Sequence, residues 1–167
     1  MNWITKLAPK IKSILGGKKS LKVADNSWVK CSQCQTMLYS DDLEKNYYVC
    51  PNCDLHLYIH PRTRMKNLFD EGIYEEIPYP TVQLDPLNFK DTNSYKEKFK
   101  EAQAKTEMQD AFLIGYGKMK GISTTVVAMN FKFMGGSLSS AGAEAMVKAA
   151  EHAIAYNTPF IMITSSG

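Results

Sequence analysis

The sequence lacks several features that define common functional classes. None of its apolar runs approaches the ~18–20 residues that a membrane-spanning helix needs. No contiguous apolar segment follows the first methionine, so we expect no secretory signal. Histidine occurs only three times, at His56, His60 and His152. No Ser-His-Asp set, pair of catalytic carboxylates or G-x-x-x-x-G-K-[ST] phosphate loop can be read. The sequence therefore offers no familiar set of catalytic side chains.

Positive charge is concentrated at the start of the chain. The net charge is +3, but residues 1–24 carry six lysines, no arginine and no acidic residue. The rest of the chain has a small acidic excess. Apolar residues from Trp3 to Leu15 fall at helical spacing, and Gly16-Gly17 would end such a helix. A docking helix, a binder of anionic surfaces and a transit peptide all fit this basic N-terminal arm, residues 1–26. We expect a lysine-rich tail, since charge alone does not establish nucleic-acid binding.

All four cysteines belong to one pattern. Cys31 and Cys34 form one C-x-x-C pair, Cys50 and Cys53 form the other, and fifteen residues separate the pairs. This spacing is typical of a structural zinc site, because two facing turns can aim four sulfurs at one ion. Two disulfides would need an oxidising compartment, and a redox C-x-x-C is usually a single pair near a βαβ unit. His56 is an alternative ligand, but four cysteines already complete the shell, so we predict one structural zinc ion.

The zinc ribbon is predicted to span residues 27–60. Between the two cysteine pairs, the segment from Tyr39 to Val49 predicts a short hairpin, because Tyr47, Tyr48 and Val49 favour β-structure.

The chain after the ribbon alternates helical and strand patterns. Helices are predicted over 61–71, 94–105 and 139–156, strands over 111–118, 124–129 and 159–164, and a proline-containing extended connection over 73–91. A turn at Lys120-Gly121 separates the first two strands. The last helix is rich in small residues and carries an apolar stripe formed by Ala143, Met146, Val147, Ala150 and Ile154. The prediction is an α/β class with β-β-α-β order over 61–167.

Glycine-bearing turns follow two of these strands. They are Met134-Gly135-Gly136-Ser137, directly before the last helix, and Ser165-Ser166-Gly167. Backbone N–H groups in such turns can point together at a developing oxyanion, and a helix N-terminus adds a favourable field. Losing one such donor costs ~3–4 kcal/mol in well-studied enzymes. Taken alone, a glycine turn of this kind is more often a simple tight turn than a functional site.

Six stretches together carry a family resemblance. They are Trp28-Val-Lys-Cys31, Cys50-Pro-Asn-Cys53, Leu68-Phe-Asp-Glu-Gly72, Asp85-Pro-Leu-Asn-Phe89, Phe131-Lys-Phe-Met-Gly-Gly-Ser137 and Pro159-Phe-Ile-Met-Ile-Thr-Ser-Ser-Gly167. In these stretches the sequence resembles the N-terminal part of the beta subunit of the bacterial and plastid-type acetyl-CoA carboxylase carboxyltransferase. The resemblance implies a small four-cysteine zinc ribbon followed by an incomplete crotonase-like (ClpP/crotonase) β-β-α domain.

The resemblance also implies a reaction and its participants. The family transfers a carboxyl group from carboxybiotin, held on a biotin carboxyl carrier protein, to acetyl-CoA, giving malonyl-CoA for fatty-acid synthesis. The implied partners are a carboxyltransferase alpha subunit, with two alpha and two beta chains in a heterotetramer, and biotin carboxylase. By analogy Gly135 and Gly136 shape the substrate pocket, and Gly167 begins the oxyanion-forming turn. We expect a cytoplasmic protein, or a stromal one if the source is a plant.

One expectation about the length of the chain and two alternative functions qualify this interpretation. The family continues beyond the residue that matches Gly167 with a second glycine and Ala-Arg-Met, so we expect a truncated chain that is inactive by itself and exposes an apolar edge at 160–163. The alternative function is a zinc ribbon that binds nucleic acid through the lysines, with Arg62 and Arg64, and loses affinity steeply with salt. The third candidate function is a purely scaffolding role, in which the ribbon and the arm form a docking surface for the alpha subunit.

Overall fold

The described part of the chain forms two compact units. The structure is a computed structural model that describes residues 28–167. The first unit ends at Leu57, and the second runs from Tyr58 to Gly167. Each unit has its own hydrophobic core. The basic arm, with the helical spacing noted in its sequence, lies outside the described residues, and the domain limits of 1–26, 27–60 and 61–167 stay a prediction.

The first unit is a ribbon followed by a short helix. Strands β1 (Trp28–Lys30) and β2 (Met37–Tyr39) pair antiparallel. Helix α1 (Ser40–Lys45) follows directly. The core consists of Cys31, Leu38, Leu43 and Cys50.

The hairpin predicted from Tyr39 to Val49 is wrong. Most of this segment is helix α1, whose first turn carries Asp41 and Asp42, where carboxylates favour the helix N-terminus. Tyr47 and Tyr48 both have left-handed φ values, 53° and 61°, so they form a turn rather than a strand. Their β-propensity is overridden because the chain must reverse here to bring the second cysteine pair to the first.

The second unit is built on a four-stranded sheet. Its strands are β3 (Tyr74–Glu76), β4 (Phe112–Met119), β5 (Ile122–Met129) and β6 (Phe160–Ile163), in the order β3-β4-β5-β6. The first two pairings are antiparallel, and β5 pairs with β6 in parallel. The three predicted strands are therefore confirmed, whereas β3 lies in the stretch expected to be a simple connection.

The turn between β4 and β5 is confirmed at Lys120-Gly121. Both residues have positive φ, 51° and 80°, as a two-residue hairpin of the I′ kind requires. The carboxylate of Asp70 accepts a hydrogen bond from each of their N–H groups at 2.8 Å. These two bonds hold the pKa of Asp70 below its usual range.

The three predicted helices are confirmed with small shifts at their ends. Helix α2 spans Pro61–Leu68, and a 3₁₀ turn at Asp70–Gly72 follows. Helix α3 spans Tyr95–Thr106 and begins with a capping box between Ser94 and Glu97. Helix α4 spans Ser140–Ala155 and connects β5 to β6.

The apolar stripe predicted on α4 is wrong. The buried face of the helix consists of Gly142, Ala145, Ala149 and Ala153, whereas Val147 and Ile154 are 53% and 80% exposed. Small side chains face the sheet because the helix axis approaches it closely. Hydropathy ranks valine and isoleucine above alanine, so a hydropathy pattern selects the wrong face here.

The core of the second unit lies between the sheet and its helices. It includes Met65, Phe69, Phe99, Phe112, Ile114, Val126, Val127, Phe133 and Ala149. Across residues 28–167 the structure contains no helix with both the length and the apolar character to cross a membrane. The predicted α/β class, with a small four-cysteine ribbon before it, is confirmed.

Candidate functional site

The four cysteine sulfurs of the first unit converge on one point. All four Sγ atoms lie within 4.8 Å of one another. Two of the sulfur pairs, Cys31–Cys53 and Cys34–Cys50, are 3.7 Å apart. A tetrahedron with Zn–S bonds of ~2.3 Å has edges of roughly 3.8 Å, so the observed spacing fits zinc. Among residues 28–167, this is the one group of three or more potential ligand side chains close enough to share an ion.

Matching backbone turns present the two cysteine pairs. The Cys31 carbonyl accepts a hydrogen bond from the Gln35 N–H at 3.0 Å, and the Cys50 carbonyl accepts one from the Asp54 N–H at 2.9 Å. Gln35 and Asp54 both adopt left-handed φ values, 63° and 58°. The two turns therefore repeat one geometry, which directs both sulfurs of each pair to the same side.

The sulfur cluster has the electrostatics of a cation site. A hydrogen bond with Thr36 is the largest of several that lower the pKa of Cys34 to about 5. The backbone N–H of Leu55 favours the Cys53 thiolate, but desolvation and the neighbouring sulfurs outweigh it and raise the pKa of Cys53 to about 12. A divalent cation bound by the four sulfurs would favour their thiolate forms.

The metal centre is structural rather than catalytic. Four cysteine sulfurs close a tetrahedral shell and leave no position for water or substrate. His56 is not part of the cluster; its backbone pairs with Val49 in an isolated bridge. The predicted ligand set Cys31, Cys34, Cys50 and Cys53 is therefore the one that the structure brings together.

The two predicted glycine turns meet at one edge of the sheet. Because β5 and β6 are parallel neighbours, their carboxyl ends lie at the same edge. The Gly167 N–H donates a hydrogen bond to the Gly135 carbonyl at 3.1 Å. Residue 136 lies against the Ser165 carbonyl oxygen, and a Cβ there would overlap that oxygen. Residues 134–137 and 165–167 thus share one site in the fold.

Several backbone donors of this site are bound within the protein. The Gly136 N–H donates to the Phe133 carbonyl at 2.8 Å, and the Gly167 N–H is bound to Gly135. The surroundings of Gly135 are open, because a Cβ at that position would meet nothing within 4 Å. On the other side of the site, the ring of Phe131, a residue that is 49% exposed, lies beside Gly167.

Sequence reasoning missed two buried polar residues next to this site. Asn130 directly follows β5, the strand before the first glycine turn, and is fully buried. The Asp110 carboxylate accepts hydrogen bonds from the Ser139 hydroxyl at 2.9 Å and from the Ala111 N–H. Ser139 is the N-cap of α4. A polar residue at the end of an otherwise apolar strand is the signal that could have identified Asn130.

The histidines of the second unit have structural roles. His152 Nδ1 lies 3.0 Å from the Thr125 hydroxyl, and its ring packs against Tyr116 and Tyr156. His60 caps α2, where its Nδ1 accepts the Arg62 N–H at 3.2 Å. Both imidazole side chains are therefore engaged in packing or helix capping.

A cleft of about 620 Å³ opens beside the start of α4. Its lining includes the rings of Tyr79, Tyr95 and Phe99, together with Asp110 and Leu138. Across residues 28–167, every buried side-chain nitrogen and oxygen atom has a hydrogen-bond partner. The cleft therefore presents no buried polar side-chain atom that needs a ligand.

Two family models match the sequence. The model described as acetyl-CoA carboxylase zinc finger domain matches residues 28–53. The model described as carboxyl transferase domain matches residues 81–167, just over half of the chain. The first match contains all four cysteines, and the second contains both glycine turns. The zinc ribbon is thus part of this family's architecture and does not favour the nucleic-acid alternative.

Curated relatives agree with these matches. Acetyl-coenzyme A carboxylase carboxyl transferase subunit beta of Rhizobium meliloti is 44% identical over 100% of this chain and 54% of its own length. The proteins of the same name from Beijerinckia indica and Azorhizobium caulinodans are 41% and 43% identical, with 57% and 56% of their lengths covered. The chain spans about half the length of the curated relatives it matches.

Solved structures show a weaker likeness. A transcarboxylase 12S hexamer with methylmalonyl-coenzyme A and methylmalonic acid bound has a TM-score of 0.48 and 20% identity, covering 77% of this chain and 22% of that one. A second structure of that enzyme, with hydrolysed methylmalonyl-coenzyme A, has a TM-score of 0.47.

Proposed function

We propose that this protein forms the acyl-CoA side of a carboxyl-transfer site. The reason is that the chain belongs to the family of acetyl-CoA carboxylase carboxyl transferase beta subunits. The reaction moves a carboxyl group from carboxybiotin to acetyl-CoA and yields malonyl-CoA for fatty-acid synthesis. The biotin is carried by a separate carrier protein. An alpha subunit completes the transferase as a heterotetramer of two alpha and two beta chains, and biotin carboxylase reloads the biotin. We place the protein in the cytoplasm, or in the stroma if the source is a plant.

The observation that carries this proposal is the meeting of the two glycine turns. They lie at the carboxyl ends of parallel strands β5 and β6, the edge at which α/β sheets commonly bind ligands. The 3.1 Å hydrogen bond from Gly167 to Gly135 joins them. A reaction through an enolate of acetyl-CoA needs backbone donors near the acyl oxygen. The structure contains no competing set of catalytic side chains at this edge within the described residues.

Each glycine receives a specific role in this proposal. Gly135 and Gly136 form the wall of the acyl-CoA pocket. A side chain at residue 135 would fill the open space, and one at residue 136 would overlap the Ser165 carbonyl oxygen of the second turn. Gly167 begins the oxyanion-forming turn. Its N–H is bound to Gly135, so an acyl oxygen would compete with that carbonyl for this donor.

Zinc has a separate role from the chemistry. The ion would be held by Cys31, Cys34, Cys50 and Cys53, and it supplies the cross-link that allows a small unit with a small core to fold. No step of the carboxyl transfer passes through it.

The test is a reconstituted carboxyl-transfer assay. Because the chain spans about half the length of its curated relatives, residues 1–167 replace the matching part of a full-length beta subunit for this assay. That subunit is combined with the alpha subunit, carboxybiotin and acetyl-CoA, and malonyl-CoA is quantified. A Gly136→Ala variant is compared with Gly121→Ala, because both glycines have positive φ, 69° and 80°, but only residue 136 lies against another segment. We expect the Gly136 variant to lose roughly 100-fold in kcat/KM and the Gly121 variant to stay within about threefold of the starting protein.

Two results would contradict the proposal. One is a failure of the unsubstituted complex to form malonyl-CoA. The other is equal activity in the Gly136 and Gly121 variants, which would separate the glycine turns from the reaction.

A further inference from the structure

A fully buried asparagine stands at the start of the first glycine turn. Asn130 follows β5 directly and is 0% exposed. Its Oδ1 accepts hydrogen bonds from the Tyr58 hydroxyl at 2.8 Å and from the Lys132 N–H at 3.0 Å. Its Nδ2 donates to the Met108 sulfur at 3.1 Å. Since the Lys132 N–H can only donate, the oxygen of the amide must face it, and the side chain has a single orientation.

The backbone of Asn130 is tied as firmly as its side chain. Its N–H donates to the Ala111 carbonyl at 2.7 Å, which extends the pairing of β4 and β5 by one residue. Its carbonyl accepts the Phe133 N–H at 3.0 Å. The residue therefore fixes the point at which the chain leaves the sheet and the direction of the first turn beyond it.

A continuous series of hydrogen bonds leads from Asn130 to the second glycine turn. The Phe133 carbonyl accepts the Gly136 N–H at 2.8 Å, and the Gly135 carbonyl accepts the Gly167 N–H at 3.1 Å. Phe133 is itself buried and packs edge-on against Phe99 at 5.2 Å between ring centroids. A displacement of Asn130 would thus be transmitted to both glycine segments.

We propose that Asn130 is a positioning residue of the carboxyl-transfer site, and that its amide oxygen, held by Tyr58, sets the place of the Gly135–Gly136 turn against residues 165–167. This inference rests on the proposed function for its catalytic consequence. It goes beyond that function by assigning the geometry of the site to a side chain outside the glycine turns.

Tyr58 supports the same segment in two ways. Its hydroxyl donates to Asn130, and the Lys132 ammonium lies 4.0 Å from the centroid of its ring. The ring and hydroxyl of one tyrosine therefore restrain two residues of the loop that leads to the glycines. Burial raises the pKa of Tyr58, so its hydroxyl keeps its proton and remains a donor.

Three substitutions separate positioning from general stability. Asn130→Ala removes the oxygen and the nitrogen together. Asn130→Asp keeps an oxygen for Tyr58 and the Lys132 N–H but buries a charge, which penalises the fold. Tyr58→Phe, a milder change, removes only the hydroxyl. Asn67→Ala, at an exposed position on α2, is the matched control.

The experiment measures three properties of each variant. The free energy of unfolding is obtained from urea titrations. In the reconstituted complex, kcat and KM for acetyl-CoA are determined. In the full chain, hydrogen exchange of individual amides is followed by NMR. We expect Asn130→Ala to lower kcat roughly 100-fold with KM for acetyl-CoA changed by no more than about threefold. The amides of Phe133, Gly136 and Gly167 should exchange faster, while those in the middle of β4 and β5 keep their protection.

The conservative variant decides between the two explanations. If Asn130 positions the turn, Asn130→Asp recovers most of the kcat lost in Asn130→Ala although it is no more stable, and Tyr58→Phe gives an intermediate loss. If the residue only stabilises the fold, kcat follows stability in all variants and the inference fails. Unchanged exchange at Phe133 and Gly136 in Asn130→Ala also overturns it. A complex of unsubstituted protein that forms no malonyl-CoA refutes the proposed function instead, and the exchange measurement still tests the position of the turn.

Discussion

Gly142 of helix α4 faces the ring of Phe112 on strand β4 so closely that a Cβ at residue 142 would overlap the ring. Both residues are buried. The contact sets the distance between α4 and the sheet near the N-terminus of the helix, one turn after its N-cap. It therefore also sets where the chain enters the helix from the glycine turn at 134–137.

Gly142→Ala is expected to destabilise the protein although alanine favours helix. The gain in helix propensity is about 1 kcal/mol. Forcing an extra carbon into a filled core costs about 1–3 kcal/mol. We expect a net loss of about 1 kcal/mol, measured as the free energy of unfolding in urea.

Phe112→Leu provides the control for this prediction. A smaller side chain at residue 112 leaves room for the new Cβ, so the cost of Gly142→Ala should shrink when both changes are combined. A Gly142→Ala variant that is more stable than the starting protein in the Phe112 background would show that the helix is not held at this distance.

Removal of zinc is expected to unfold the first unit and leave the second folded. The core of the first unit contains only a few buried residues, two of them the cysteines Cys31 and Cys50, whereas the second unit has a separate and larger core. Binding of structural zinc contributes about 10–16 kcal/mol in zinc-finger peptides, so a chelator removes most of what holds the ribbon. NMR after chelation should show random-coil shifts for residues 28–57, while residues 58–167 keep their native shifts.

X-ray absorption and ligand variants identify the residues that bind the zinc ion. One zinc ion per chain, with four sulfur neighbours at ~2.3 Å by X-ray absorption, is the expected result. Cys53→Ser should lower zinc affinity, while His56→Ala should retain the ion, because His56 is outside the sulfur cluster. Loss of zinc in the His56 variant would contradict the assignment of four cysteine ligands.

Asp110 is expected to make stability depend on pH. Burial raises its pKa above the ordinary value of 3.8, although hydrogen bonds from the Ala111 N–H and the Ser139 hydroxyl lower it in part. The folded state therefore holds this proton more tightly than the unfolded state. The free energy of unfolding decreases as pH rises from 3.8 through the raised folded pKa, and this contribution is constant above that pKa.

Asp110→Asn tests this sign, because asparagine does not titrate. Relative to the unsubstituted protein, the variant should gain stability as pH rises from about 4 to about 7 in urea unfolding experiments. Release of zinc at low pH affects both proteins equally and cancels in their difference. Parallel stability curves over this range would show that the folded protein leaves the pKa of Asp110 unshifted.

Local patterns predicted most of the secondary structure. The start of the helix predicted over 94–105 and the turn Lys120-Gly121 are confirmed because the signals for each lie within a few neighbouring residues. Strands β4, β5 and β6 are confirmed for a similar reason, since continuous runs of valine, isoleucine and other apolar residues favour a buried sheet.

The failures arose where packing overrides local preference. Tyr47 and Tyr48 have high β-propensity but occupy left-handed backbone conformations, because the chain must turn to complete the sulfur cluster. In α4, Val147 and Ile154 are exposed while alanines are buried, because the distance between helix and sheet limits the size of the side chains between them. Neither constraint is visible in a window of sequence.

The sequence by itself determined the metal ligands and the family, because cysteine spacing and short motifs carry that information in neighbouring residues. Only the tertiary structure decided that Gly135 meets Gly167 and that Asn130 is buried beside them. Those relationships depend on the parallel pairing of β5 with β6 across helix α4, which joins segments far apart in the chain.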